Sequence, residues 1–347
     1  MLTMRQDQLT FRFPDVHDSA EVSIDFQRTL RIPDDDKAYP LPPGLGRFPL
    51  RHVDDFAAKL PADWLKRGGV MLPMWQAEAM WLSFRGGYDT ERQASYPCAV
   101  KIAAGKRSAV TGDAWQAGLQ RKPQDYVVVP VQPWLDGFCV KKGFIRQFVA
   151  MPLGEGYTVE EQLDGKAEFG GLQIEVFPMK RAAFEKRFPI VPKVDYSAMT
   201  RTGMMQPMAC CPAPAAGAAM GLAAGGKMRQ EISRDPYQPD EWDTDHGVRC
   251  FVHLCNSQAW QGITDQAPPT KPPVARDYAN AGLPWYEHYS DQPAVGGGAL
   301  LKGIKSVLQI GKKKGETPLP DNASLVPKVV IGLGQVRMGD EVRTGDF

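Results

Sequence analysis

Little in this sequence points to a partner held by bulk charge. Across 347 residues, 41 lysines and arginines face 40 aspartates and glutamates, for a formal charge of +1. The one-sided field of a dedicated nucleic-acid binder is missing, so no nucleic-acid partner is expected. Cysteine is sparse, six in the whole chain, too few for a disulfide framework, and free thiols are expected. Long apolar runs are lacking too. The uncharged stretch from Met204 to Gly226 is mostly Ala, Gly and Pro, which partition poorly into hydrocarbon, so no membrane span is expected. The N-terminus is polar where an export signal needs an apolar core, which makes a cytoplasmic location the expectation. A GxxxxGK[ST] phosphate loop, a GxGxxG turn after a strand, HExxH and GxSxG are all absent. The commonest nucleotide, zinc-protease and α/β-hydrolase chemistries therefore lose their entry point.

What is abundant is interruption: 34 glycines and 30 prolines break the backbone often enough to exclude long helical bundles. From Cys98 to Met179, short β-branched and aromatic runs alternate with turn signals, and the gaps are too short for crossover helices. This pattern predicts a β-rich α+β fold, an antiparallel sandwich-like body with peripheral helices. Helices are predicted over Ala62–Arg67, over Met74–Phe84 as a buried element, and over Ala299–Ile310 with Gly311 as its stop. Thr158 and Glu161 form a capping-box pair. Three parts are predicted along the chain: a body with N-terminal helices over 1–200, an Ala/Gly/Met-rich linker or packing segment over 201–230, and a C-terminal α+β portion over 231–347.

The candidate sites are few. His246, Cys250, His253 and Cys255 are residue types that bind zinc, although the usual paired spacings are absent and Cys250 falls on the opposite strand face from His253 and Cys255. No cofactor is predicted, and zinc is the one metal these side chains suggest. Arg146 on a strand and Glu155 between two glycines suggest ligand or acid/base contacts, while Glu78 suggests a buried salt bridge. Gly217, Gly221 and Gly225, four residues apart, would form a flat strip at a subunit or domain contact if their segment were helical. The tryptophans and tyrosines could supply a stacking platform for a sugar, or simply pack the core.

Several segments resemble an uncharacterised family of microbial proteins: Ala99-Val-Lys-Ile-Ala-Ala-Gly, Asp125-Tyr-Val-Val-Val-Pro with Gln132-Pro-Trp-Leu-Asp-Gly-Phe, Arg146 through Gln162, Lys227-Met-Arg-Gln-Glu-Ile and Gly282-Leu-Pro-Trp. The resemblance implies one architectural unit and carries no activity, cofactor or catalytic residue. With no reaction motif in view, the leading expectation is a non-enzymatic structural or interaction protein that self-associates as a homo-oligomer through extended loops. A metal-assisted or acid/base enzyme and a small-ligand or glycan-binding module are the alternatives.

Overall fold

The computed structural model describes residues 1–35, 37–190, 219–288, 293–317 and 324–333. The chain opens as an antiparallel meander of β1 (Leu2–Arg5), β2 (Gln8–Arg12) and β3 (Glu21–Thr29). Three short strands follow, β4 (Ala38–Tyr39), β5 (Gly44–Arg47) and β6 (Arg51–His52). Helix α1 (Ala62–Arg67) then runs from Pro61 to Gly68 with the bounds predicted from these two punctuating residues.

The helix predicted over Met74–Phe84 does not form. In its place stand β7 (Val70–Met74) and β8 (Ala79–Gly86), joined by a turn in which Ala77 has φ of 65°. The physical reason is the period of the apolar residues. Met80, Leu82 and Phe84 alternate with Trp81, Ser83 and Arg85, and the first set is buried. A segment so patterned can gain ladder hydrogen bonds on both edges, which an isolated helix of the same length cannot match.

Next come β9 (Tyr88–Asp89), β10 (Ala94–Ser95), β11 (Cys98–Ala104), β12 (Arg107–Ser108), β13 (Tyr126–Val129) and β14 (Trp134–Leu135). The predicted strand-turn-strand around Gly143 is β15 (Gly137–Lys141) paired with β16 (Phe144–Pro152). Thr158 and Glu161 close the predicted capping box at the start of α2 (Val159–Asp164). After β17 (Leu172–Pro178) and α3 (Arg181–Arg187), the description resumes with β18 (Ala219–Arg229) and β19 (Val248–Asn256). Helices α4 (Ser257–Thr264) and α5 (Ala275–Asn280) precede β20 (Pro284–His288). The helix predicted over 299–310 is two, α6 (Ala299–Lys302) and α7 (Val307–Lys314), followed by β21 (Val329–Leu333). Ser306 makes a capping box with Gln309 and starts α7 afresh, so Gly311 lies inside that helix and Gly315, at φ of 75°, ends it.

The architecture is α+β and β-rich, built around one large and mainly antiparallel sheet with helices at its periphery. β3 pairs with one edge of β8, and the other edge of β8 is shared by β14 and β16. From β16 the ladder continues through β18, β19, β17 and β11 to β13, all antiparallel. Two parallel contacts, β7 with β19 and β4 with β18, join strands remote in sequence, where a local crossover is not required. One apolar core unites both arms of the sheet, with Ile24 and Leu82 from one and Val100, Val127, Ile174 and Val252 from the other.

β18 changes the reading of the Ala/Gly/Met-rich segment. From Ala219 onward it is a strand, not a linker, paired along β16 and, at Ala219 and Met220 alone, with β19, while residues 204–218, including Gly217, lie outside the described residues. A spacing of four keeps residues on one face of a strand as well as of a helix, which is why the glycine pattern was ambiguous. A Cβ on Gly221 would sit 2.7 Å from Thr158 Cγ2, and one on Gly225 would sit 2.5 Å from Val149 Cγ2. These two glycines therefore admit side chains of their own chain. Among the described residues, no helix is long and apolar enough to cross a membrane.

Gly137 shows how tightly the strands approach: a Cβ there would lie 2.0 Å from the Arg146 carbonyl oxygen. Gly262, inside α4, has open space around it. Gly137→Ala is expected to destabilise the fold by about 1–3 kcal/mol through overpacking, whereas Gly262→Ala should stabilise it by about 0.5–1 kcal/mol through helix propensity. Urea midpoints of the two variants, moving in opposite directions, check the assignment.

Candidate functional site

The pleat of β8 and β14 builds a cleft on the outer face of the sheet. Trp134 pairs with Ser83 and Leu135 with Leu82, a register that places Asp136 beside Trp81. With a side-chain period of two, Trp81, Ser83, Trp134 and Asp136 share one face, while Leu82 and Leu135 enter the core on the other. Pro42 and Pro43, which precede β5, and Tyr286 of β20 close the sides of a cavity of about 310 Å³. Mutual backbone hydrogen bonds between Leu41 and Tyr286, 2.7 and 2.9 Å, tie these two walls together. His288 packs edge-on against Trp134, with ring centroids 4.8 Å apart.

Asp136 is 5% exposed and is clamped by Gln230, whose Oε1 accepts the Asp136 backbone N–H at 3.0 Å and whose Nε2 donates to Oδ2 at 2.7 Å. The Trp134 side chain supplies a further hydrogen bond. Burial pushes the Asp136 carboxyl up to about 7, and the two hydrogen bonds only partly oppose that. Its position is unusual for this molecule. Asp25, Asp34, Glu78, Asp89, Asp125, Glu175 and Asp235 all lie between 2.6 and 3.7 Å from an arginine or lysine nitrogen. Glu160 and Glu161 instead collect backbone N–H groups at 2.8–2.9 Å, from Phe169 and Gly170 and from Gly154 and Gly156. Among the described buried acids, Asp136 alone is served only by neutral side-chain donors. Beside it, Trp81 Nε1 is a buried donor with no hydrogen-bond partner among the described residues, as are Trp115 Nε1 and Trp285 Nε1 elsewhere.

The residues singled out from the sequence lie elsewhere. His246 is exposed and pairs with Asp243 at 2.9 Å, a hydrogen bond that raises its pKa. His253 stacks on Trp64, centroids 4.5 Å apart, with Nε2 3.0 Å from the Gly68 carbonyl, and burial lowers it to about 4. Cys250 belongs to the main core and Cys255 to a separate cluster under α4, and burial pushes both thiols up to about 12. Zinc needs thiolates converging on one point, and these side chains offer thiols on opposite faces. Among the described residues, no three His, Cys, Asp or Glu side chains are grouped to hold a metal ion.

Arg146 is buried, with Nη1 3.2 Å from Asp34 and 3.0 Å from the Gly225 carbonyl, whereas Glu155 is exposed in a loop. The glycines flanking Glu155 direct their N–H groups at Glu161. Glu78 forms the predicted salt bridge, 2.7 Å from Arg28, and also accepts the Trp75 N–H at 2.8 Å. It borders a second cavity of about 350 Å³, but its charge is already met.

Trp134, Asp136 and Gln230 were not singled out, although two of the segments quoted above contain them. The available signal was Trp134-Leu-Asp136, two polar-edged residues one apart on a strand facing away from the core. No protein-family model, curated protein or solved structure matches the chain. Its chemistry therefore rests on these side chains.

Because the folded carboxyl of Asp136 titrates near 7 and the ordinary value is 3.8, the folded state holds this proton over the interval where the unfolded chain releases it. Stability from this group is therefore full at low pH, is lost as pH rises from about 4 to about 7, and is flat above, a loss on the order of 4 kcal/mol. Asp136→Asn should remove that decline. Urea-unfolding free energies of both proteins between pH 4 and 8 measure it, and parallel curves would contradict the assignment.

Proposed function

We propose that this protein is a non-enzymatic binding protein whose cleft between Trp81 and Trp134 holds a small ligand. The observation that carries this reading is an aromatic-walled cavity lined by one buried carboxyl, Asp136, that no cation meets among the described residues. Concave, mostly apolar sites with a few convergent polar groups are the usual form of small-molecule sites. A thermal-shift screen of sugars, amino acids and organic cations tests it. A ligand at about 100 times its Kd adds about 2.7 kcal/mol of stability, so a true ligand should raise the Tm of the wild type and leave Trp134→Ala unmoved. A panel that shifts neither protein, and leaves tryptophan emission unchanged, counts against the reading.

A second reading, self-association, is favoured by a different observation. β21 pairs only with β20 among the described residues, and Val329, Val330, Ile331 and Leu333 are 41%, 46%, 44% and 37% exposed. A two-stranded ribbon is marginal alone, and an apolar free edge is a template for another strand. A second copy would add antiparallel about a two-fold axis at Ile331, setting Val329 against Leu333 with no charge opposed. Light scattering across a concentration series should show a dimer that Ile331→Lys converts to monomer, and a wild-type mass that stays monomeric throughout removes this reading.

A further inference from the structure

We propose that the cleft is a site for a small alkylated ammonium ion, with Asp136 as the counter-charge and the rings of Trp81, Trp134 and Tyr286 as its walls. This inference rests on the reading of the cleft as a ligand site and adds the chemical class of the ligand. The lining decides between classes. Among the described residues, Asp136 is the one carboxyl there and no lysine, arginine or histidine lines the cavity, so an anion would meet a lone acid with nothing to offset it. A sugar would bring a ring of hydroxyls to a wall made of two indoles, a phenol and two prolines, where most of those hydroxyls would lose water without gaining a partner. A primary ammonium has three N–H donors to satisfy and would find a single carboxylate. A fully alkylated ammonium needs no donor-acceptor contacts. It is attracted by aromatic faces and by a negative charge, which is what the cavity presents.

A further feature fits the same ligand. Each of the other buried acids described above has a cation or backbone N–H groups at hand, whereas Asp136 has only Gln230 and Trp134, both neutral. A bound cation would supply the missing counter-charge and favour the ionised carboxylate. Arg229, next in sequence to Gln230, is engaged with Glu287 at 3.3 Å.

Titration of the full chain with choline, tetramethylammonium, 3,3-dimethyl-1-butanol and glucose, followed by tryptophan fluorescence and calorimetry, tests this. The alcohol copies the shape of choline without its charge. Choline and tetramethylammonium are each expected to bind at least tenfold more tightly than the alcohol. Asp136→Asn should cost choline tenfold or more and leave the alcohol unchanged, a split that a merely structural role for Asp136 would not produce. Trp134→Leu, with Gly262→Ala as a folded control, should abolish both. If the alcohol or glucose binds as well as choline and depends on Trp134, the cation inference is overturned and the ligand-site reading stands. If none of the four binds the wild type, the cation inference falls, and the broader screen decides the ligand-site reading by itself.

Discussion

The pleat of β8 is the constraint on which both the core and the cleft depend. Its ladder runs to β3 on one edge and to β14 and β16 on the other, so its side chains cannot rotate between faces without breaking pairings on both sides. Met80, Leu82 and Phe84 are thereby committed to the core, and Trp81 is committed to the outside. β14 repeats the division, with Leu135 inside and Trp134 outside, and the two tryptophans face a common space only because the strands are in this register. A slip of one residue would bury the indoles and expose three core side chains.

The buried acids of this molecule are met in different ways. Lys101, at 2% exposure, holds Asp125 at 3.0 Å and donates to the Gln116 carbonyl at 2.7 Å. Tyr126 and Trp242 donate to Asp235 at 2.5 and 2.9 Å. Glu160 draws the loop at 168–170 onto α2 through its backbone N–H groups. These networks satisfy their charges and thereby specify which loop lies where. Asp136 is held just as firmly by Gln230, but its charge is left unmet, which is why burial moves its proton affinity so far.

Several elements could be read directly from local chemistry. The bounds of α1 follow from Pro61 and Gly68, the start of α2 from Thr158 and Glu161, and the β15–β16 turn from Gly143, because each of those signals acts over a few residues. The β-rich character followed from the density of short alternating runs. The stretch from Met74 to Phe84 misled because its apolar residues cover nearly every helical face, and nothing within it reports that neighbouring strands wait on both edges. The glycines at 221 and 225 misled for a related reason, since a spacing of four suits either periodicity. The strand period already sets Cys250 on the opposite face from Cys255, but it does not say which apolar cluster each thiol enters.

By itself the sequence determined the class of the fold, the balance of charge and the local stops and caps, all of which are set by composition or by neighbours along the chain. Only the tertiary structure decided that Trp81, Trp134, Asp136 and Tyr286 share one cleft, that Gln230 clamps the acid, and that Arg146 is engaged with Asp34. The physical reason is register. Which residues of remote strands face one another depends on the joint burial of every apolar face in the sheet, and no single segment contains that information.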